Sequence, residues 1–246
     1  SPVSTEGAIN NMKAEIPHWD FEKVKQETQN NWNAELNKVQ LDPINHGEMI
    51  NFYTAMYHAF LGPTIYMDVD GKYRGLDMNI HQAENFTNYT SFSLWDTYRA
   101  LHPLFNVLQP KRNSDMINSM VAHYNQSVHG MLPVWSHYAN ENWCMIGYHS
   151  VSVIADAIVK GNTGFDVEAA LMASVHTAKV PYYDGLKYYM EKGYVPEDKN
   201  GSSVSKTLEY AYDDWAIAQA AKKLGKNAIY NEFSKRAENY KNVYDA

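Results

Sequence analysis

Apolar residues recur at intervals of three or four along nearly the whole chain, and the gaps between these runs alternate between long and short. That pairing narrows the possible folds most, because helices joined by short links run antiparallel. Phe21, Val24, Thr28, Trp32, Leu36 and Val39 form one face of a helix behind Asp20, a residue suited to the N-cap. Ile50, Tyr53, Tyr57 and Phe60 form a second, closed by Gly62-Pro63. The same spacing predicts helices near 93–108, 112–129, 146–160, 166–178, 182–192, 203–224 and 227–243. Gly130, Gly161, Gly193 and Gly225 each sit just past one of them. Pro103 and Pro181 should kink or interrupt their segments. If Pro181 only kinks a single segment, 166–192, four helical hairpins result: 20–61, 93–129, 146–192 and 203–243. The long connections 62–92, 130–145 and 193–202 then share one end of the array. Long ordered loops tend to be functional.

One strand signal interrupts the helical pattern. Ile65–Val69 and Lys72–Arg74 flank Asp70-Gly71, a hairpin turn pair. The expected fold is therefore all-α: an arc of antiparallel helical hairpins with one small β-hairpin in a long loop. Four hairpins in a row do not close a ring. Residues 1–246 read as a single domain, with 1–19 a linker from a preceding one, and both ends read as cuts through a longer chain.

Composition removes several classes of function. Acidic residues outnumber basic ones, 28 to 21, and no basic run exceeds two residues, so a nucleic-acid partner is not expected. No apolar stretch approaches the roughly 18 residues of a membrane span. A lone cysteine, Cys144, excludes an internal disulfide and a cysteine-based zinc site. Tyr outnumbers Leu, 19 to 13. An amphipathic ring with a polar handle suits a wet cleft for a flat-faced polar ligand, and equally a tyrosine-rich core.

Three constellations could carry chemistry. Trp95-Asp96 puts an indole beside a carboxylate, which suits a sugar: the ring covers a C–H face and the carboxylate accepts from hydroxyls. The plainer alternative has Asp96 complementing a helix N-terminus and Trp95 in the core. Glu141-Asn142-Trp143 offers the same chemistry from a loop, or an exposed loop over a tucked indole. Glu209 and Asp213, one helical turn apart with Asp214 alongside, could do paired-carboxylate acid–base work or form a solvated face. The ten histidines include no zinc-helix spacing, and His149 is the best placed for a cleft. Asp68-Val69-Asp70-Gly71 fails as a calcium loop, with glycine at the fourth position and Asn79 at the twelfth.

Longer blocks carry a resemblance. They are Phe52–His58, Asp68–Gly75, Tyr89–Leu104 with its core Ser93-Leu94-Trp95-Asp96-Thr97-Tyr98-Arg99, Trp143–His149, and Ser203–Trp215. Together they resemble glycoside hydrolase family 92, the exo-acting α-mannosidases. The resemblance implies an N-terminal β-sandwich followed by an (α/α)6 toroid, of which this chain would be the first part. It implies removal of terminal α-linked mannose from glycans with inversion, calcium as cofactor, and a periplasmic or secreted location. The family's acid and base motifs, of Thr-Glu-Gly-Asn and Gly-Asn-x-Asp-x-Gly-Gln type, do not occur in this sequence. The expectation is therefore no catalytic residue here, with Glu209, Asp213 and Asp214 as the fallback. Trp95, Asp96, Glu141 and Trp143 are expected to contact substrate, most calcium ligands to lie outside the chain, and the chain alone to be inactive. The alternative is a noncatalytic helical module binding a glycan or protein partner.

Overall fold

The computed structural model describes residues 1–42 and 45–244. Helices dominate them: α1 Thr5–Glu15, α2 Phe21–Leu36, α3 His46–Ala59, α4 Leu94–Thr97, α5 Leu101–Leu108, α6 Pro110–Gln126, α7 Ser150–Lys160, α8 Val167–Thr177, α9 Leu186–Lys192, α10 Ser203–Lys223 and α11 Asn227–Arg236. A 3-10 segment, Ala237–Val243, follows α11. The strands are short: β1 Thr64–Ile65, β2 Lys72–Arg74, β3 Ile80–Gln82, β4 Tyr89–Thr90, β5 Ser136–His137 and β6 Asn140–Glu141. The all-α expectation holds.

Local chemistry sets the helix ends. The side chains of Asp20, Asn45 and Asp166 accept from the backbone N–H groups of Lys23, Glu48 and Ala169, at 3.1, 2.8 and 2.9 Å. Gly161 and Gly193 close α7 and α9 in the left-handed region, at φ 81° and 77°, where a Cβ is penalised.

Several boundaries differ from the sequence expectation. The helix expected at 93–108 is two, α4 and α5, because Pro103 has no N–H to donate to the carbonyl four residues back and its ring clashes with it. The helix expected from 146 starts at Ser150, since Met145 and Gly147 have φ of 64° and 86°. Pro181 interrupts rather than kinks: α8 ends at Thr177 and α9 begins only at Leu186. The segment 227–243 tightens into its 3-10 form after Arg236. The Asp68–Gly71 turn forms, with Gly71 N–H donating to Asp68 O at 2.8 Å. Its arms do not pair as expected, for β2 pairs forward with β3 and β1 pairs with β4. A further pair, β5 with β6, stiffens the 130–145 connection. Residues 1–19, expected as a linker, hold α1, whose Asn11 bonds Asp68 and Val69 at 2.8 Å each.

The core lies where α7 packs against α5, α8 and α10, and α10 against α11. Leu94, Ile117, Met120, Ile154, Leu171 and Leu186 are fully buried there. So are Tyr148, Tyr189 and Tyr210, stacked or edge-on with centroids 5.2 and 5.4 Å apart. Each such pair adds about 0.5–1.5 kcal/mol beyond its area. By contrast α2 buries no residue and α3 only Met56.

Candidate sugar site

The N-terminal ends of α4 and α7 converge on the second and third turns of α10. On α10, Glu209 Oε1 accepts from the Trp95 indole N–H at 3.3 Å and lies 3.6 Å from Arg99. The Arg99 guanidinium lies over the Trp95 ring at 4.6 Å and the Tyr98 ring at 4.8 Å. Glu209 and Arg99 thus fix the indole plane, and Trp95 is left half-buried at the surface. Asp96 is exposed beside it, and among the described residues its carboxylate meets no partner.

Behind Glu209 stands a buried relay. His149 Nδ1 is 2.8 Å from Asp213 Oδ1, and Asp213 Oδ2 accepts from the Tyr148 N–H at 2.7 Å. His149 Nε2 lies 3.3 Å from Glu209 Oε2 without hydrogen-bond geometry. Tyr98 stacks on the imidazole at 4.1 Å. Burial, and next the Glu209 charge, push the Tyr98 hydroxyl up to about 12, so it stays protonated. Asp214 is enclosed: Oδ1 accepts from Tyr148 OH at 2.8 Å, and Oδ2 from Tyr189 OH at 2.9 Å and Arg236 Nε at 2.8 Å. Burial lifts the Asp214 carboxyl to about 6 against the pull of Arg236 and both hydroxyls.

Glu141 stands differently. Its two oxygens accept from the backbone N–H groups of Val134, Trp135 and Trp143 at 3.0, 2.8 and 3.0 Å. Only 3% of its side chain is exposed. Its carboxylate braces the loop that carries Trp143. Leu94 N–H donates to Val134 O at 3.4 Å. The segments bearing Asp96, Glu141 and Glu209 therefore meet at one end of the array, although Pro181 breaks its helix. Asp96, Glu141, Glu209, Asp213 and Asp214 are legible as candidates in the sequence, but Arg99, which shares the Glu209 contact, is not among them. A cation one turn after Trp95 on a helical pattern was the available signal.

A model of the glycosyl hydrolase family 92 catalytic domain matches residues 7–246. The chain belongs to glycoside hydrolase family 92. It is similar to a family GH92 α-mannosidase of Bacteroides thetaiotaomicron, with 56% identity and a TM-score of 0.97 over 100% of this chain and 33% of that one. The same figures are 56%, 0.96, 100% and 32% for that enzyme in complex with mannoimidazole. A family GH92 inverting mannosidase of the same organism gives 34% identity and a TM-score of 0.90, over 99% of this chain and 34% of that one. An uncharacterized secreted glycosidase of Arthroderma benhamiae is 24% identical over 264 residues, covering 99% of this chain and 29% of its own length. The chain thus spans about a third of the length of these family 92 relatives. Among the described residues no helix is long and apolar enough to cross a membrane.

Proposed function

We propose that this family 92 chain supplies one wall of the sugar site in a hydrolase that removes terminal α-linked mannose from glycans with inversion. The carrying observation is the Trp95–Asp96 pair: an indole pinned by Glu209 and Arg99, next to a carboxylate exposed to solvent. The indole offers a flat apolar face to ring C–H groups, and Asp96 accepts from sugar hydroxyls. The similar mannosidase in complex with mannoimidazole supports the substrate class, and the similar secreted glycosidase supports an extracellular or periplasmic setting.

Inversion requires an acid at the leaving oxygen and a base at the attacking water, with carboxyls about 6.5–9.5 Å apart. Asp213 and Asp214 are wholly enclosed, with every oxygen accepting from a protein donor. They cannot reach a glycosidic bond. Glu209 is partly open but acts through Trp95. The acid and base therefore belong, in this reading, to segments other than 1–246. Calcium belongs to it as the family's ion. Among the described residues no three His, Cys, Asp or Glu side chains converge to hold one, so no step here depends on it.

The test is Asp96→Ala in the intact hydrolase. Hydrogen bonds to a charged group contribute about 1.5–3 kcal/mol each. Losing two should lower kcat/KM at least ~10²-fold on a terminal α-mannoside. Near-native turnover would reduce Asp96 to a helix-terminus charge.

A further inference from the structure

Among the described residues around Glu209, one polar atom is enclosed without a hydrogen-bond partner: His149 Nε2. The imidazole that bears it is held from several sides. Asp213 Oδ1 sits 2.8 Å from Nδ1, and Asp213 is fixed in turn by the Tyr148 N–H. Tyr98 stacks on one ring face. The His149 carbonyl accepts from the Ser152 and Val153 N–H groups at 3.0 and 3.2 Å, which ties the residue to the first turn of α7. At Gly147 the backbone passes so close that an added Cβ would collide with Nε2 and Cε1 of the ring. Glu209 is the looser partner. Its contacts with His149, Trp95 and Arg99 are long, at 3.3, 3.3 and 3.6 Å, and its side chain is 18% exposed.

The two ring nitrogens have different tasks. A carboxylate has no hydrogen to give, so Nδ1 donates to Asp213. Nε2 is then the atom that gains or loses a proton. Bare, its lone pair would face Glu209 Oε2, and two enclosed acceptors repel. With a proton between them the same approach becomes a charge-assisted hydrogen bond, reached by a small turn of the Glu209 carboxylate. Fixing Oε2 fixes the carboxylate plane, and with it Oε1, which meets the Trp95 indole N–H and Arg99. Glu209 and Asp213 are the charged groups against the ring, Arg99 stands beyond Glu209, and Tyr98 and Tyr212 are the phenols beside it. We propose that His149 is a positioning residue for mannose binding: through Nε2 it sets the Glu209 carboxylate, and Glu209 sets the plane of Trp95. Enclosed as it is, His149 touches no sugar. This rests on the Trp95–Asp96 reading above and adds the group that aligns that wall.

Two substitutions in the intact hydrolase divide these tasks. In His149→Asn the amide nitrogen stands where Nδ1 stood, which keeps the Asp213 bond and removes the donor to Glu209. In His149→Gln it stands where Nε2 stood, which keeps the donor and gives up Asp213. His149→Asn should therefore unfold near the wild-type midpoint and lose about tenfold in kcat/KM on a terminal α-mannoside. His149→Gln should unfold earlier yet stay within about threefold of the wild-type kcat/KM. A merely structural His149 gives the reverse order, with activity following stability, and that order overturns the proposal. Where His149→Gln does not fold, His149→Asn decides alone: native kcat/KM, or a loss that comes only with a lowered midpoint, overturns the proposal. Asp96→Ala keeps the two readings apart. Loss with Asp96→Ala but not with His149→Asn overturns the positioning role and leaves the wall. Loss with His149→Asn alone keeps the link from His149 through Glu209 to Trp95 and removes Asp96 from the wall. Native turnover in both variants overturns both readings.

Discussion

Arg236 meets Asp214 at 2.8 Å with the carboxylate fully enclosed. Breaking one side of such a pair strands a buried charge and costs about 3–5 kcal/mol. Arg236→Met should lose that much in urea unfolding at pH 7.5. A loss below ~1 kcal/mol would mean that Asp214 simply takes up a proton when its partner goes, as burial already favours. Histidines set the acid limit. His102 Nδ1 meets Asn113 Oδ1 at 2.8 Å, and its buried Nε2 has no hydrogen-bond partner. Burial holds His102 down at about 4, from 6.5. The folded state therefore binds fewer protons than the unfolded chain below pH 6.5. Stability is full above 6.5 and falls as the pH drops towards 4, by on the order of 3 kcal/mol for this residue. His102→Gln should flatten that slope in unfolding midpoints read from pH 7 to 4. An unchanged slope would place the acid sensitivity elsewhere, with His123, held down to about 3 by burial, the next to replace. At this scale the sequence was half legible. An indole beside a carboxylate at Trp95-Asp96 could be read because adjacent helical residues diverge. The burial of Asp213 and Asp214 could not, because it depends on Tyr148, Tyr189 and Arg236, far away in the chain.

Helices were visible wherever capping and periodicity agreed. Asp166 is such a place: its side chain caps α8 by accepting from Ala169 N–H. Asp166→Ala should cost about 1 kcal/mol, seen as a lower unfolding midpoint with an unchanged denaturant slope. No loss would mean that water satisfies those N–H groups equally well. Connections were less visible. Non-glycine residues at positive φ, Trp143, Met145 and Asp184 among them, leave no mark in composition or period. Asp184 turns the chain inside a stretch where the sequence predicts helix, while Trp143 and Met145 shape the connection before α7. Pro181 did mark its break, but whether a proline bends or ends a helix depends on the packing that follows it.

As a whole, the chain has one dense region and one loose edge. Phe21, Ile50 and Leu61 on the α2–α3 side are 75, 52 and 50% exposed, and Trp215 on α10 is 50% exposed. Apolar surface of this extent marks contacts with further protein. The isolated chain should self-associate with rising concentration in sizing chromatography, and it should release no mannose from an α-mannoside with calcium present. Turnover by a stable monomer would refute both expectations and return Glu209 to candidacy as a catalytic group. The helical arc was legible from periodicity and loop lengths, since both are local. The exposure of the α2–α3 faces was not, because it depends on packing between distant segments. One helix now sets a rule for any change in length. Lys206, Glu209, Asp213 and Asp214 on α10 reach respectively to Asp184, Trp95, His149 and Arg236. A substitution severs one of these links. Deleting a single residue between Lys206 and Glu209 would turn Lys206 by about 100° against Glu209, Asp213 and Asp214, so that its link to Asp184 and the other three links could not all be kept. Length variation in this protein should therefore be tolerated before α10 and after α11, and excluded from the α10 spacing itself.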